Sequence, residues 1–176
     1  MHALSTRPLE AKDGPAFLKA MQESQSLHHP WVKPPTTVQQ FQDYLVKYQQ
    51  ANNRSYIVLD VHENIVGVYN LNDIVQGVFQ SAYLGYFAVL KAAQQGYMSA
   101  GLKLILKEAF TNLGLHRLEA NIQPNNQRSI YLVAKNGFRK EGYSPRYLYV
   151  DGEWRDHERW AITYEDWLSL SNHKNE

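Results

Sequence analysis

Between a strand-like run and a helix-like run lies KAAQQGYMSAG, Lys91 to Gly101, and the chemistry it offers is that of backbone amides. A helix N-terminus presents unpaired NH groups and the positive end of its dipole, which suits an anion such as phosphate. Each charge gains only about 0.3 to 2 kcal/mol there, so several NH groups must converge. Gly96 permits close backbone approach, and Gln94, Gln95, Tyr97, Met98 and Ser99 supply the amides. No lysine or arginine follows Lys91 in the stretch, and an ordinary strand-to-helix connection has a similar composition.

Upstream, Gly85 interrupts a strand, the usual mark of a bulge or of a closely approaching ligand. A bulge there would free backbone groups of Phe87, Ala88 or Val89 for an extended ligand. Downstream, Asn126 and Ser129 share one face at the start of a helix, where both could also simply cap it. Asp156 and Glu158 alternate on one face of the last strand, with His157 on the other, so a carboxylate in a cleft could accept a proton or hold an ammonium. Asp156 and His157 could equally be structural hydrogen-bonding groups, and His116 is expected to be structural. A metal site from His28, His29 or His157 is not expected: the adjacent pair diverges and the H-E-x-x-H spacing is missing.

The elements that must position these groups follow from pattern. Thr6 to Glu10 reads as a strand, and Asp13-Gly14-Pro15 starts a helix. Gln25 to Pro35 is a proline-broken loop, and Thr37 with Gln40 forms a capping box for a helix running to about Ala51. SYIVLDV and IVGVYNL flank His62-Glu63-Asn64 as a hairpin, and SAYLGYFAVL is a third strand, apolar on both faces and expected to be covered on both. Leu102, Ile105, Leu106, Ala109, Phe110 and Leu113 fall at helical spacing, and Gly114 stops that helix. RLEANIQ is a strand, a helix spans about Asn126 to Lys135, and Asn136-Gly137 turns the chain. FRKEGYSPRYLYV and EWRDHERWAIT close it through a tight turn at Asp151-Gly152.

The chain has 176 residues with a formal charge of +1, enough for one compact domain over 1–176 and no basic stripe for DNA. It carries no cysteine, no signal-like N-terminus and no apolar run near the roughly 18 residues of a membrane span. A cytoplasmic protein with no membrane partner is expected, and monomer and homodimer both stay open.

LGYFAV, GYMSAGLKLILKEAF, the P-x-N-x-x-S of Pro124, Asn126 and Ser129, and YLYVDGEWRDHERWAI, in that order, resemble the GNAT superfamily of acetyl-CoA-dependent N-acetyltransferases. Within it the chain most resembles the ribosomal-protein-alanine N-acetyltransferases, from about Ile65 to Trp167, with a looser fit toward the N-terminus. The resemblance implies an α/β (α+β) fold: a mixed, mostly antiparallel seven-stranded sheet flanked by helices and splayed between its fourth and fifth strands. It implies acetyl-CoA as cofactor, with pantetheine on the strand Gly85 to Val89, pyrophosphate on the loop Gln94 to Ser99, and Asn121, Asn126 and Ser129 on the opposite wall.

By the same resemblance the activity is acetyl transfer to an amine through a tetrahedral intermediate, with coenzyme A as product and the N-terminus of a ribosomal protein as acceptor. Ser129 would protonate the thiolate, since the tyrosine many such enzymes place four residues before the Gly-Phe pair is Val133 here, and Tyr131 faces elsewhere. A strand NH near Ala88 or Val89 would hold the oxyanion. The loop departs from the family pattern: Ala93 replaces a glutamine or arginine, Gln94 a glycine, and Met98 a small residue. Weaker coenzyme binding, not its loss, is expected, because backbone NH groups carry most of it.

An α-amine is roughly 10% neutral at pH 7, against about one lysine in 2,500, so a protein N-terminus needs little help from a base. Trp31, Tyr69, Asn70 and Tyr147 are the candidate acceptor-binding residues. The alternatives are a small-molecule amine (amino acid, polyamine or aminoglycoside) as acceptor, or a catalytically silent acyl-CoA binder.

Overall fold

A computed structural model describes residues 3–172. Seven strands form one sheet in the order β1-β2-β3-β4-β5-β7-β6. They are β1 (Ser5–Pro8), β2 (Arg54–Leu59), β3 (Ile65–Val75), β4 (Ser81–Ala88), β5 (Arg117–Ile122), β6 (Arg139–Val150) and β7 (Glu153–Thr163). All pairings are antiparallel except β4 with β5. The helices are α1 (Gly14–Glu23), α2 (Gln25–His28), α3 (Val38–Tyr48), α4 (Tyr97–Lys107), α5 (Gln127–Lys135) and α6 (Tyr164–Asn172).

Local chemistry sets the boundaries. The Thr37 hydroxyl accepts from the Gln40 NH while the Gln40 side chain accepts from the Thr37 NH, closing the expected capping box of α3. Asp151 and Gly152 both have positive φ, which fits the twist of a two-residue hairpin turn between β6 and β7. The loop expected over Gln25 to Pro35 begins instead as the short helix α2, held because the Ser24 hydroxyl accepts from the Leu90 NH at 2.9 Å.

β3 is the central strand and sends alternate side chains to opposite layers. Tyr69 donates to the Met98 carbonyl of α4 at 2.5 Å, and Asn70 accepts from the Tyr44 hydroxyl of α3 at 2.6 Å. The core follows: Phe17, Met21 and Phe41 come from α1 and α3, and Leu102, Ile105 and Leu106 from α4. α4 lies close on the sheet because Gly101 faces Tyr69 and Val58, where even a Cβ would sit only 3.1 Å from each.

The feature that makes a site is the parting of β4 from β5. They pair only at Ser81↔Arg117, Ala82↔Leu118 and Tyr83↔Glu119, after which β5 continues against β7 as far as Ile122↔Glu158. From Leu84 to Ala88, β4 keeps β3 on one side and, among the described residues, has no strand on the other. Two expectations are corrected here. The β3–β4 ladder runs through Asn70↔Gly85 without a break, and its shift lies between Asn72 and Val75, so splaying and not a bulge frees the backbone. β4 is also covered unevenly, with Tyr83 exposed although it still pairs with Glu119, whereas β3 is buried on both faces from Ile65 to Leu71.

Candidate active site

The gap between β4 and β5 opens into a cleft of about 800 Å³ on the α4 side of the sheet. One wall is the free edge of β4, with Tyr86 and Ala88 facing the cleft. Beyond it comes the loop into α4, where Gln94 and Gly96 take positive φ of 61° and 81°. Gly96 directly precedes Tyr97, so the first NH groups of α4 open onto the cleft, the arrangement that receives an anion. Met98, where the family pattern has a small residue, is accommodated by Gly67 on β3, whose missing Cβ would lie 2.9 Å from the Met98 sulfur.

The opposite wall comes from β5 and α5. Asn126 caps α5, its Oδ1 accepting from the Ser129 NH at 3.2 Å. The Ser129 hydroxyl faces β4 and shares a short hydrogen bond with the Tyr86 hydroxyl. Burial pushes the Tyr86 phenol up to about 12, opposed by that bond, so it stays neutral near pH 7. The Asn121 amide oxygen is buried in this wall with no partner among the described residues, an acceptor open to a ligand NH. Ser99 of α4 and Asn136, just past α5, hydrogen-bond at 3.1 Å and tie the two walls together.

Arg128 and Lys135 of α5 also line the cleft, and none of its lining residues is acidic. Sequence reasoning missed both, although their spacing of seven places them on one helix face two turns apart. It missed Tyr86 too, which strand alternation puts on the same face as Leu84 and Ala88, and it turned Tyr131 away from the cleft, whereas the exposed Tyr131 lines it beside Arg128 and Lys135. These residues fit a coenzyme with a polar arm and phosphates: free strand edge, orphaned amide oxygen, helix N-terminus and cationic rim.

The residues singled out in the sequence divide as follows. Ala88, Gln94, Gly96, Tyr97, Met98, Ser99, Asn121, Asn126, Ser129 and Trp31 all line this cleft. Phe87 turns its ring to the other face of β4, Val89 is buried, and the exposed Gln95 side chain donates to the Lys91 carbonyl. Tyr69 and Asn70 are core residues, at 0% and 3% exposure, because β3 is sandwiched between helices, and neither lines the cleft where an acceptor would sit. Tyr147 stacks edge-on against His157 with ring centres 6.2 Å apart.

Asp156 lies on the face of β7 away from the cleft, accepting from the Tyr143 hydroxyl and from the Arg146 NH at 2.7 Å. Those two donors hold its carboxyl below the usual carboxylate range. Its neighbour His157 is the one that reaches the cleft, buried, with Nδ1 on the Arg155 carbonyl at 2.9 Å. Burial keeps the His157 pKa below the ordinary histidine value. His28 and His29 diverge, the first toward the Ala88 carbonyl at 2.8 Å and the second toward Asp151 at 4.0 Å.

This fold and cleft define an acyltransferase-type architecture, and the sequence agrees: residues 4–139 match the model of the acetyltransferase (GNAT) domain, and the chain belongs to that family. Among individual proteins it is similar to the [ribosomal protein uS5]-alanine N-acetyltransferase of Escherichia coli (strain K12), 41% identical over 105 residues, or 60% of this chain. The match spans 54% of that relative's length, about half of it. The structure of Mycobacterium smegmatis RimJ in complex with CoA-disulfide superposes with a TM-score of 0.84 at 28% identity, covering 93% of this chain and 83% of the other. A spermidine N-acetyltransferase from Vibrio cholerae, in complex with CoA and spermine, shares the fold with a TM-score of 0.80 at 20% identity, covering 94% and 98%.

Among the described residues, no helix is long and apolar enough to cross a membrane.

Proposed function

We propose that the chain is an acetyl-CoA-dependent N-acetyltransferase acting on the N-terminal α-amine of a protein, with an alanine- or serine-initiated ribosomal protein as substrate. The carrying observation is the free edge of β4 from Leu84 to Ala88, facing the Ser129–Tyr86 pair across a cleft that ends at the N-terminus of α4. Bound acetyl-CoA supplies an activated acetyl group.

The chain's own residues then divide the work. The strand-free edge of β4, apart from the Ala88 carbonyl that His28 holds, and the Asn121 oxygen bind the pantetheine amides, and the NH groups of the Gln94 to Ser99 loop, with Arg128 and Lys135, hold the phosphates. An NH near Ala88 or Val89 polarises the carbonyl that is attacked. Ser129 donates the proton that the departing sulfur needs, and Tyr86 orients its hydroxyl.

The identity to a uS5-alanine N-acetyltransferase supports a protein acceptor. The absence of any carboxylate among the cleft-lining residues weighs against a polycationic acceptor there. Incubation with acetyl-CoA and peptides beginning in alanine or serine should add one acetyl group, read as a mass gain. Turnover of spermidine, amino acids or aminoglycosides without peptide turnover would move the reading to small amines. Coenzyme binding with no transfer to any amine would reduce it to a silent acyl-CoA binder.

A further inference from the structure

His28 ends the short helix α2 and is almost fully buried, at 4% exposure. Its Nε2 lies 2.8 Å from the carbonyl of Ala88, the last residue of β4. A carbonyl can only accept, so Nε2 carries the proton, and in the neutral ring Nδ1 is a bare acceptor. That Nδ1 is buried and has no partner among the described residues.

A structural role does not account for this arrangement. The α1–α2 junction is already fastened to the end of β4 by the Ser24 hydroxyl on the Leu90 NH. Holding the Ala88 carbonyl requires only a donor, and a second ring nitrogen left buried and unmet is a cost that this tie does not explain. The imidazole also stands where two cavities meet. On one side is the cleft with Ser129 and Tyr86, and on the other a pocket of about 730 Å³ beneath Phe87 on the α3 side of the sheet. The rim of that second pocket carries the exposed Lys33, Asp43 and Lys47 and so reaches solvent.

Resting on the acetyltransferase reading above, we propose that His28 receives the acceptor amine, entering through the second pocket, and is the base of the transfer. Nδ1 first accepts a hydrogen bond from the amine N–H. The amine lone pair then forms the new C–N bond while the C–S bond breaks. The electrons of one N–H bond stay on nitrogen and its proton passes to Nδ1. Ser129 supplies the proton taken by sulfur and regains one from water, and the imidazolium returns its proton to water through the second pocket.

Burial, opposed by the Ala88 carbonyl, keeps the His28 pKa below the ordinary histidine value, so the ring is neutral at pH 7. The titratable groups facing it are Asp43, Tyr44, Lys47 and Tyr48 of α3, and His29 and Lys33 of the following loop. Across the cleft are Tyr86 of β4, Tyr97 of α4, Arg128, Tyr131 and Lys135 of α5, and His157 of β7.

The test is His28→Gln, whose amide NH can still bond the Ala88 carbonyl while offering no basic lone pair. With acetyl-CoA and an alanine-initiated peptide, kcat/KM should fall about 10²-fold or more at pH 7, with coenzyme affinity by calorimetry changed less than about twofold. On the acid side the native log kcat/KM should steepen to a slope of about 2, one proton from the peptide amine and one from His28, while the variant keeps a slope of about 1. A purely structural role would lower the rate at every pH and leave the slope alone. Turnover within about threefold of the native protein, or a retained slope of about 2, would overturn the proposal.

A readout without turnover completes it. In the coenzyme A complex, the ¹⁵N resonance of His28 Nδ1 should move on adding the free peptide and stay put with its N-acetylated form. An unmoved resonance overturns the role of His28. If the native protein binds coenzyme but acetylates no amine, the functional reading fails separately, and the Nδ1 response alone decides His28.

Discussion

Replacing Tyr86 by phenylalanine removes one oxygen from the centre of the cleft and leaves the ring in place. The lost interaction is the short hydrogen bond to the Ser129 hydroxyl. A hydrogen bond contributes about 0.5–1.5 kcal/mol, so if Tyr86 only orients the proton donor, kcat should fall about 2- to 13-fold. Ser129→Ala, removing the donor itself, should cost about 10²-fold or more while sparing coenzyme affinity. On the proposed mechanism the two hydroxyls act as one unit, so the double variant should be no slower than Ser129→Ala alone. Steady-state kinetics with an alanine-initiated peptide measures all three variants, and calorimetry with coenzyme A checks that binding survives.

Stability supplies an independent arm. The phenol is raised from 10.0 to about 12 by burial, so its neutral form is favoured in the folded state. Its contribution is therefore complete below the unfolded value and is lost as the pH rises through the folded one. Native protein should lose stability between about pH 10 and 12 through this group, and Tyr86→Phe should lack that component in urea titrations. An unchanged kcat in Tyr86→Phe, or losses that multiply in the double variant, would refute the coupling of Tyr86 to Ser129.

Gly67→Ala puts a Cβ 2.9 Å from the Met98 sulfur and should destabilise by about 1–3 kcal/mol in urea, with Met98→Ala restoring most of the loss. Ala93→Gln adds a side-chain donor beside the Gln94 to Ser99 loop and should tighten coenzyme A binding about 2- to 10-fold by calorimetry. Arg7 grips Asp13 at 2.6 and 2.8 Å, and together with the Glu10 NH it outweighs burial to hold the Asp13 pKa below its ordinary value. That contribution is present above the unfolded value and is lost as pH falls through the folded one. Arg7→Met should thus cost about 1–3 kcal/mol near pH 7, with the gap closing in strong acid by denaturant titration. Asp156→Asn should weaken the β6–β7 hairpin and leave kcat within about threefold, since the carboxylate bonds Tyr143 and Arg146 outside the cleft.

Local rules made much of the fold legible in the sequence. The Thr37–Gln40 box, the Asp151-Gly152 turn, the Asn126 cap and the apolar spacing of α4 are each decided by a few neighbouring residues and stand in the structure, except that α4 ends at Lys107 and the run through Ala109 and Phe110 continues as a π-helical segment, Glu108–Asn112. The loop into α4 was legible for the same reason, since its amides belong to a strand-to-helix step readable over about ten residues. Alternation along EWRDHERW also separated His157 from Asp156 and Glu158.

What alternation could not give is which face looks into the cleft. That depends on how the β6–β7 hairpin lies against β5, and the hairpin turns His157 inward and Asp156 outward. Tyr69 and Asn70 read as exposed specificity residues only until β3 is placed at the centre of the sheet, with α4 on one face and α3 on the other. The sequence by itself determined most of the elements, though not α2, together with the family resemblance and the amide-rich loop, because those reside in short-range pattern. Only the tertiary structure decided where β4 leaves β5, that Tyr86 meets Ser129 across 43 positions of chain, and that His28 meets Ala88 across 60, because such contacts depend on long-range packing that no local spacing encodes.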